Sequence, residues 1–189
     1  MTMDERQLDL VDKVARTFRE NGFHGTTMSI ISDRTDLGRS SIYHHFGRGK
    51  LEMAHRSLES IEAIIHSIRQ TTSSPTLSPA TKWEVVRAML HRHYEGGLLG
   101  CLLAVFAMEE VPNELRDQTG RLFSAWADAT AELYRMAGCL EMDALRYAQR
   151  DVILIQGALV LSRAHGSSAP FEEALEDISE ALELRTSQT

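Results

Sequence analysis

Residues 26–54 read TTMSIISDRTDLGRSSIYHHFGRGKLEMA, and this stretch decides the fold. Thr27 is a natural N-cap, because its hydroxyl can accept from the free amides of a helix start. A helix is therefore expected over about Met28 to Thr35, then a break at Asp36-Leu37-Gly38, then a second helix over about Arg39 to His45. Met28, Ile31, Ile42 and Phe46 are placed to face a core. That leaves Arg39, Ser40, Ser41, Tyr43 and His44 facing outward. Gly47 and Gly49 interrupt the chain around Arg48, and Lys50 opens a long helix that continues to about Gln70. The second short helix is rich in serine and histidine, so it needs packing partners to form. Two short helices joined by a tight turn, the second with a polar outer face, predict a helix-turn-helix. In that motif one helix crosses the DNA backbone and the other enters the major groove.

Upstream, Leu8, Val11, Val14, Ala15 and Phe18 recur at three- and four-residue steps and predict a helix from about Glu5 to Asn21. Gly22 is its stop, and Phe23 is expected to tuck back onto the stripe. Arg6, Lys13, Arg16 and Arg19 lie off the stripe and are expected to be mostly solvated.

Downstream, the Thr-, Ser- and Pro-containing segment 71–79 reads as a loop. Ser78-Pro79 opens a helix that runs to Glu95. A short apolar helix is expected over Cys101 to Glu110, a long one over Asn113 to Ala137, and two more over Asp143 to His165 and Pro170 to Leu184. The segment from Val152 to Leu161 is apolar on nearly all sides, which predicts burial on more than one face: a core on one side, another subunit on the other. No strand pattern or repeat competes with this all-α reading. The expected division is a helix-turn-helix domain over residues 1–50 and a helical ligand-binding and dimerisation domain over 51–189.

Composition adds limits. With 189 residues and 43% apolar content, the chain can build one good core and a small satellite. The net charge of -7 does not itself point to nucleic acid. The distribution does: between Met28 and Arg56, Arg34, Arg39, Arg48, Lys50 and Arg56 outnumber Asp33, Asp36 and Glu52, while acids crowd between Glu172 and Glu183. Cys101 and Cys139 fit neither a disulfide framework nor a CxxC spacing, so two buried thiols in a reducing cytoplasm are expected. The charged N-terminus lacks a signal core, and no apolar run is long enough to span a bilayer. A soluble cytoplasmic protein with no membrane association is expected.

The run from Leu10 to Ala54 resembles the N-terminal domain of TetR-type transcriptional regulators. Ala15 and Phe18, Gly22-Phe23, Thr26-Thr27, Ser41-Ile42-Tyr43-His44-His45-Phe46 and Lys50 carry the likeness. The Phe-Gly-Arg-Gly-Lys spacing is similar to the LmrA/YxaF-like branch. Gly100-Cys101-Leu102-Leu103 with Glu109, and Gly157-Ala158 with Leu161, are similar too. The resemblance implies an all-helical homodimer, joined through its last two helices, that represses a promoter until a small-molecule effector releases it from a double-stranded DNA operator. Three positions depart from the family pattern: Asp36 stands where glycine is usual, Gly38 where a capping hydroxyl is usual, and Ile30 where an acid is frequent.

On this reading Arg39, Ser40 and Ser41 reach base edges, although Arg39 suits a phosphate nearly as well. Thr27, Tyr43, His44 and Lys50 contact the backbone. Trp83, Tyr94, Phe106, Phe123, Trp126 and Tyr134 are either plain core or the lining of a ligand cavity. His91, Thr130 and Gln156 are the polar candidates beside them. Neither His44-His45 nor His91 with His93 shares a helix face, so no metal site and no cofactor are expected. Two rival readings remain open: a helical enzyme or binding protein without DNA function, for which no nucleophile–base pairing is visible, and an activator instead of a repressor.

Overall fold

The structure, a computed structural model, describes residues 3–186. Among them are nine helices and no strand: α1 (Met3–Gly25), α2 (Met28–Thr35), α3 (Arg39–His45), α4 (Lys50–Thr72), α5 (Pro79–His93), α6 (Leu102–Met108), α7 (Asn113–Met136), α8 (Glu141–His165) and α9 (Ala169–Thr186). The all-α expectation holds. No helix among the described residues is long and apolar enough to cross a membrane.

The punctuation read from sequence is visible in the backbone. Gly22 breaks α1 with φ 75 and ψ 175, after which one further turn carries the helix to Gly25. Thr27 caps α2 by accepting from the Ile30 amide at 3.3 Å. Ser78 caps α5 at Thr81, with Pro79 in its first turn. That helix ends at His93, two residues short of the expected Glu95. Glu95 takes a positive φ of 50 and cannot continue the helix.

Asp36 adopts φ 57, the left-handed conformation that costs most L-residues about 1–2 kcal/mol and asparagine or aspartate less. Its side chain is exposed. Replacement by glycine removes that strain but loosens the unfolded chain by about 0.4–1 kcal/mol. Asp36→Gly is therefore expected to be neutral or mildly stabilising. A thermal melt that drops by several degrees would contradict this.

Packing divides the chain into two units: residues up to Ala63 together with Leu102–Leu122, and Ile64–Cys101 together with Phe123 onward. These packing units do not follow the expected division at residue 50, because α6 and the start of α7 join the N-terminal helices. In the first unit, Val14 and Phe18 of α1, Ile31 of α2, Ile42 of α3, Phe46 and Met53 form a core that is fully buried. Phe106 of α6 completes it, edge-on to Phe18 at 5.5 Å and to Phe23 at 6.1 Å. Phe23 does fold back, stacking on Phe18 at 6.1 Å. Arg19 departs from expectation: it is only 6% exposed, on the buried side of α1.

In the second unit α9 packs against α8 and α5. Trp83, Val86 and Leu90 of α5, Trp126 and Leu133 of α7, Ile155 and Leu159 of α8, and Phe171, Leu175 and Ile178 of α9 form its core. Two of its buried polar groups are met inside it. The Trp83 indole donates to Ser179 Oγ at 2.6 Å, and the buried Lys82 ammonium donates to the Thr72 carbonyl at 2.5 Å, near the end of α4. The thiols of Cys101 and Cys139 are free; Cys101 is buried and Cys139 half-buried.

Candidate DNA interface

The surface of the first unit around α2 and α3 follows from where its core points. Ile42 and Phe46 are fully buried, so the other side of this short helix must meet solvent. Arg39, Ser40, Ser41, Tyr43 and His44 are all exposed, as expected. Gly38 leaves the start of α3 without a side-chain cap, and neither α2 nor α3 has an acid in its first turn. The free amides at the start of α2, beside the exposed Thr27, keep their partial positive charge for an outside anion.

The basic side chains are not equivalent. Arg34 pairs with Glu20 at 2.5 Å, and Arg48 pairs with Glu114 at 3.3 Å. Lys50 is half-buried; its ammonium donates to the Phe23 carbonyl at 2.9 Å and lies 4.6 Å from the Phe23 ring centroid. One of its three donors is thus used within the protein. Arg39 has no ion pair among the described residues, so its guanidinium keeps its full donor set for a ligand. Tyr43 lies over Gly49, where an added Cβ would sit 3.4 Å from its ring; Gly49 itself has φ 63. His45, not counted among the DNA contacts from sequence, bonds Gln7 of α1 at 3.0 Å and so helps anchor α3.

The residues considered for a ligand cavity are dispersed. Phe106 belongs to the core of the first unit, while the others lie in the second. His91 is exposed and sits 2.9 Å from Glu172, on the surface. Thr130 spends its hydroxyl on the Trp126 and Ala127 carbonyls of its own helix. Trp83 is committed to Ser179, and Phe123 is half-buried. Tyr94 and Trp126 do come together, with centroids 6.5 Å apart, and Tyr94 donates to Cys101 Sγ at 3.6 Å. The Trp126 Nε1 and Gln156 Nε2 groups are buried and lack partners, so two donors stand unmet inside this unit.

Sequence reasoning missed most of a cavity of about 360 Å³ lined by Tyr134, Tyr147, Arg150, Asp151 and Arg185, among others. The Tyr134 hydroxyl donates to Asp151 Oδ2 at 2.6 Å. Burial pushes the Asp151 carboxyl up to about 7, against the pull of its bond to Tyr134 and of Arg150 and Arg185. Burial, together with the charge of Asp151, also pushes the Tyr134 phenol up. The Arg185 guanidinium lies 4.0 Å from the Tyr147 centroid. In the sequence Asp151 merely precedes an apolar run, and nothing local marks it as buried.

Two family models match separate parts of the chain. Residues 10–56 match the family described as bacterial regulatory proteins, tetR family. Residues 84–177 match the transcriptional regulator LmrA/YxaF-like C-terminal domain. The HTH-type transcriptional regulator LmrA of Bacillus subtilis is 24% identical over 90% of this chain and 93% of its own length. The HTH-type transcriptional repressor DhaR of a Mycobacterium species is 22% identical over 92% of this chain and 90% of its own. A TetR transcriptional regulator from Legionella pneumophila shares the fold with a TM-score of 0.82 at 17% identity, covering 96% of this chain and 97% of that one. The chain therefore belongs to the TetR family of bacterial regulatory proteins, with a C-terminal domain of the LmrA/YxaF type, and is a DNA-binding transcriptional regulator, not an enzyme.

Proposed function

We propose that this regulator is a cytoplasmic repressor that leaves a near-palindromic operator when a small molecule binds its C-terminal part. The functional border lies near residue 50: the helices before it contact DNA, and those after it bind the effector and dimerise. The observation that carries the DNA half of this reading is the exposed Arg39-Ser40-Ser41 face, set at the start of α3 directly beside its buried Ile42. Arg39 reads a base, and Ser40 and Ser41 contribute permissive contacts. Thr27, Tyr43, His44 and Lys50 hold the phosphate backbone. The unmet Trp126 and Gln156 donors support an effector that brings hydrogen-bond acceptors into an apolar interior.

Dimerisation through α8 and α9 is supported by an apolar stripe that this chain leaves in solvent. Ile153, Val160 and Leu161 are 71, 62 and 51% exposed, and Leu184 of α9 is 64% exposed. Positions 153 and 160 are two turns apart, with the exposed Gly157 between them, so one helix face is involved. A dimer built there presents two α3 helices to successive major grooves, roughly 34–36 Å apart.

Binding-site selection with the purified protein tests the reading directly. Recovery of a two-fold-related sequence is expected. Arg39→Ala should then weaken binding by about 1–3 kcal/mol and relax the preference at one base in each half-site. Failure to bind any duplex at low salt would sink the proposal. Activation in place of repression would appear as an operator upstream of the promoter elements, with transcription rising when the protein is bound.

A further inference from the structure

The joint between α1 and α2 is held by a side chain from far along the chain. Glu109, directly after α6, accepts from the Phe23 amide through Oε1 and from the His24 amide through Oε2, each at 3.1 Å. The next residue adds to the hold, as His24 Nε2 donates to the Glu110 carbonyl at 2.6 Å. On the other side, Lys50 donates to the Phe23 carbonyl, and Thr26 Oγ1 donates to the Gly22 carbonyl at 2.6 Å. Gly22 must stay bare here, since a Cβ built on it would run into the Glu109 carboxylate.

These contacts converge on Gly22–Thr26, the five residues before Thr27 and the amides that open α2. The break at Gly22 frees the amides of the residues that follow it, and without Glu109 only water would meet them. A charged acceptor on two adjacent amides is a strong and directional tie. Within this unit, α6 is thus tied directly to the joint that aims α2, as well as being packed on α1 through Phe106.

We propose that Glu109 is a positioning residue for DNA binding: its carboxylate fixes the Phe23–His24 joint, and through it the placement of Thr27 and α2, so that any displacement of α6 is delivered to the DNA-contacting surface at this grip. Glu109 itself does not touch DNA. The inference rests on the established DNA-binding role and not on the identity of an effector.

The test uses the full-length Glu109→Gln protein and the duplex recovered by selection. The substitution keeps the size of the side chain but turns an NH2 group towards one of the two amides. Operator affinity should fall about tenfold or more, with an unchanged slope of affinity against salt, because no phosphate contact is removed. NMR hydrogen exchange should show the Phe23 and His24 amides losing protection, and this arm needs no DNA. The direction of the change is informative. If Glu109 acted only as an acid near phosphate, the substitution would tighten binding and steepen the slope, which would overturn the proposal. Affinity within about twofold of wild type with both amides still protected would overturn it too. Should Glu109→Gln fail to fold, Glu109→Asp keeps the charge but draws the carboxylate back from the two amides by one methylene. It should weaken operator binding several-fold at an unchanged salt slope; native affinity in that variant with both amides still protected would equally overturn the proposal.

Discussion

Phe106→Ala is expected to destabilise the first packing unit by about 3–5 kcal/mol, the cost of emptying a buried phenylalanine site. Phe106 is fully buried and is edge-on to both Phe18 and Phe23. Its loss removes the apolar transfer energy, leaves a cavity that α1 cannot close without breaking the Phe18–Phe23 stack, and forfeits about 0.5–1.5 kcal/mol of edge-to-face attraction per ring pair. Because domains hold only about 5–15 kcal/mol, the unit should lose a large share of its stability. Denaturant unfolding reports the loss, and DNA binding should fall with it, although the residue lies on α6 and not on the helix-turn-helix. The outcome also separates two roles. Were Phe106 the wall of an effector cavity, alanine would leave stability nearly native and change only the response to effector.

Gly97→Ala should be at least as damaging to the second unit, at about 3 kcal/mol or more, because two costs add. Gly97 has φ 90, a conformation in which an L-residue is strained by about 1–2 kcal/mol. A Cβ there would also collide with the Cβ and Cγ of Phe171. Those atoms sit at the root of the side chain, so they cannot swing away as a lysine tip would. Phe171 is fully buried, and its amide is pinned by Ser162 Oγ at 3.1 Å. Relief therefore requires α9 to shift against α8, and overpacking of this kind typically costs about 1–3 kcal/mol. A thermal melt lowered by about ten degrees or more is expected. Gly120→Ala, at an exposed position of α7 with nothing near its Cβ, is the control and should be neutral or stabilising.

What could be read from the sequence was the chemistry that acts within a few residues. Thr27 and Ser78 cap helices through their own hydroxyls, Gly22 breaks one, and Asp36 takes the turn conformation that the family pattern reserves for glycine. The outward face of α3 was legible for a related reason. Seven residues anchored inward by Ile42, with buried Phe46 at the C-cap, leave no choice about where Arg39, Ser40 and Ser41 point. The assignment of aromatics to a ligand cavity was less legible, because periodicity tells which face of a helix is apolar and not which neighbour meets it. Phe106 sits on a short helix that is apolar throughout, and only the fold shows that its neighbours are Phe18 and Phe23. His91 looked interior among apolar residues, yet it lies on the solvent side of α5 with Glu172. Glu109 and Asp151 find their partners 86 and 17 residues away, beyond any local pattern.

The membership of α6 in the first packing unit has a consequence for synthesis. A chain leaving the ribosome exposes its helix-turn-helix early, but the groups that close its core and hold its joint, Phe106 and Glu109, emerge only after the intervening Ile64–Cys101 segment. The helix-turn-helix therefore cannot settle as soon as it emerges, as a contiguous N-terminal domain would; it must wait until the chain has been made as far as Leu122. A chain stopped before α6 carries the letters of the recognition helix without a settled platform beneath it.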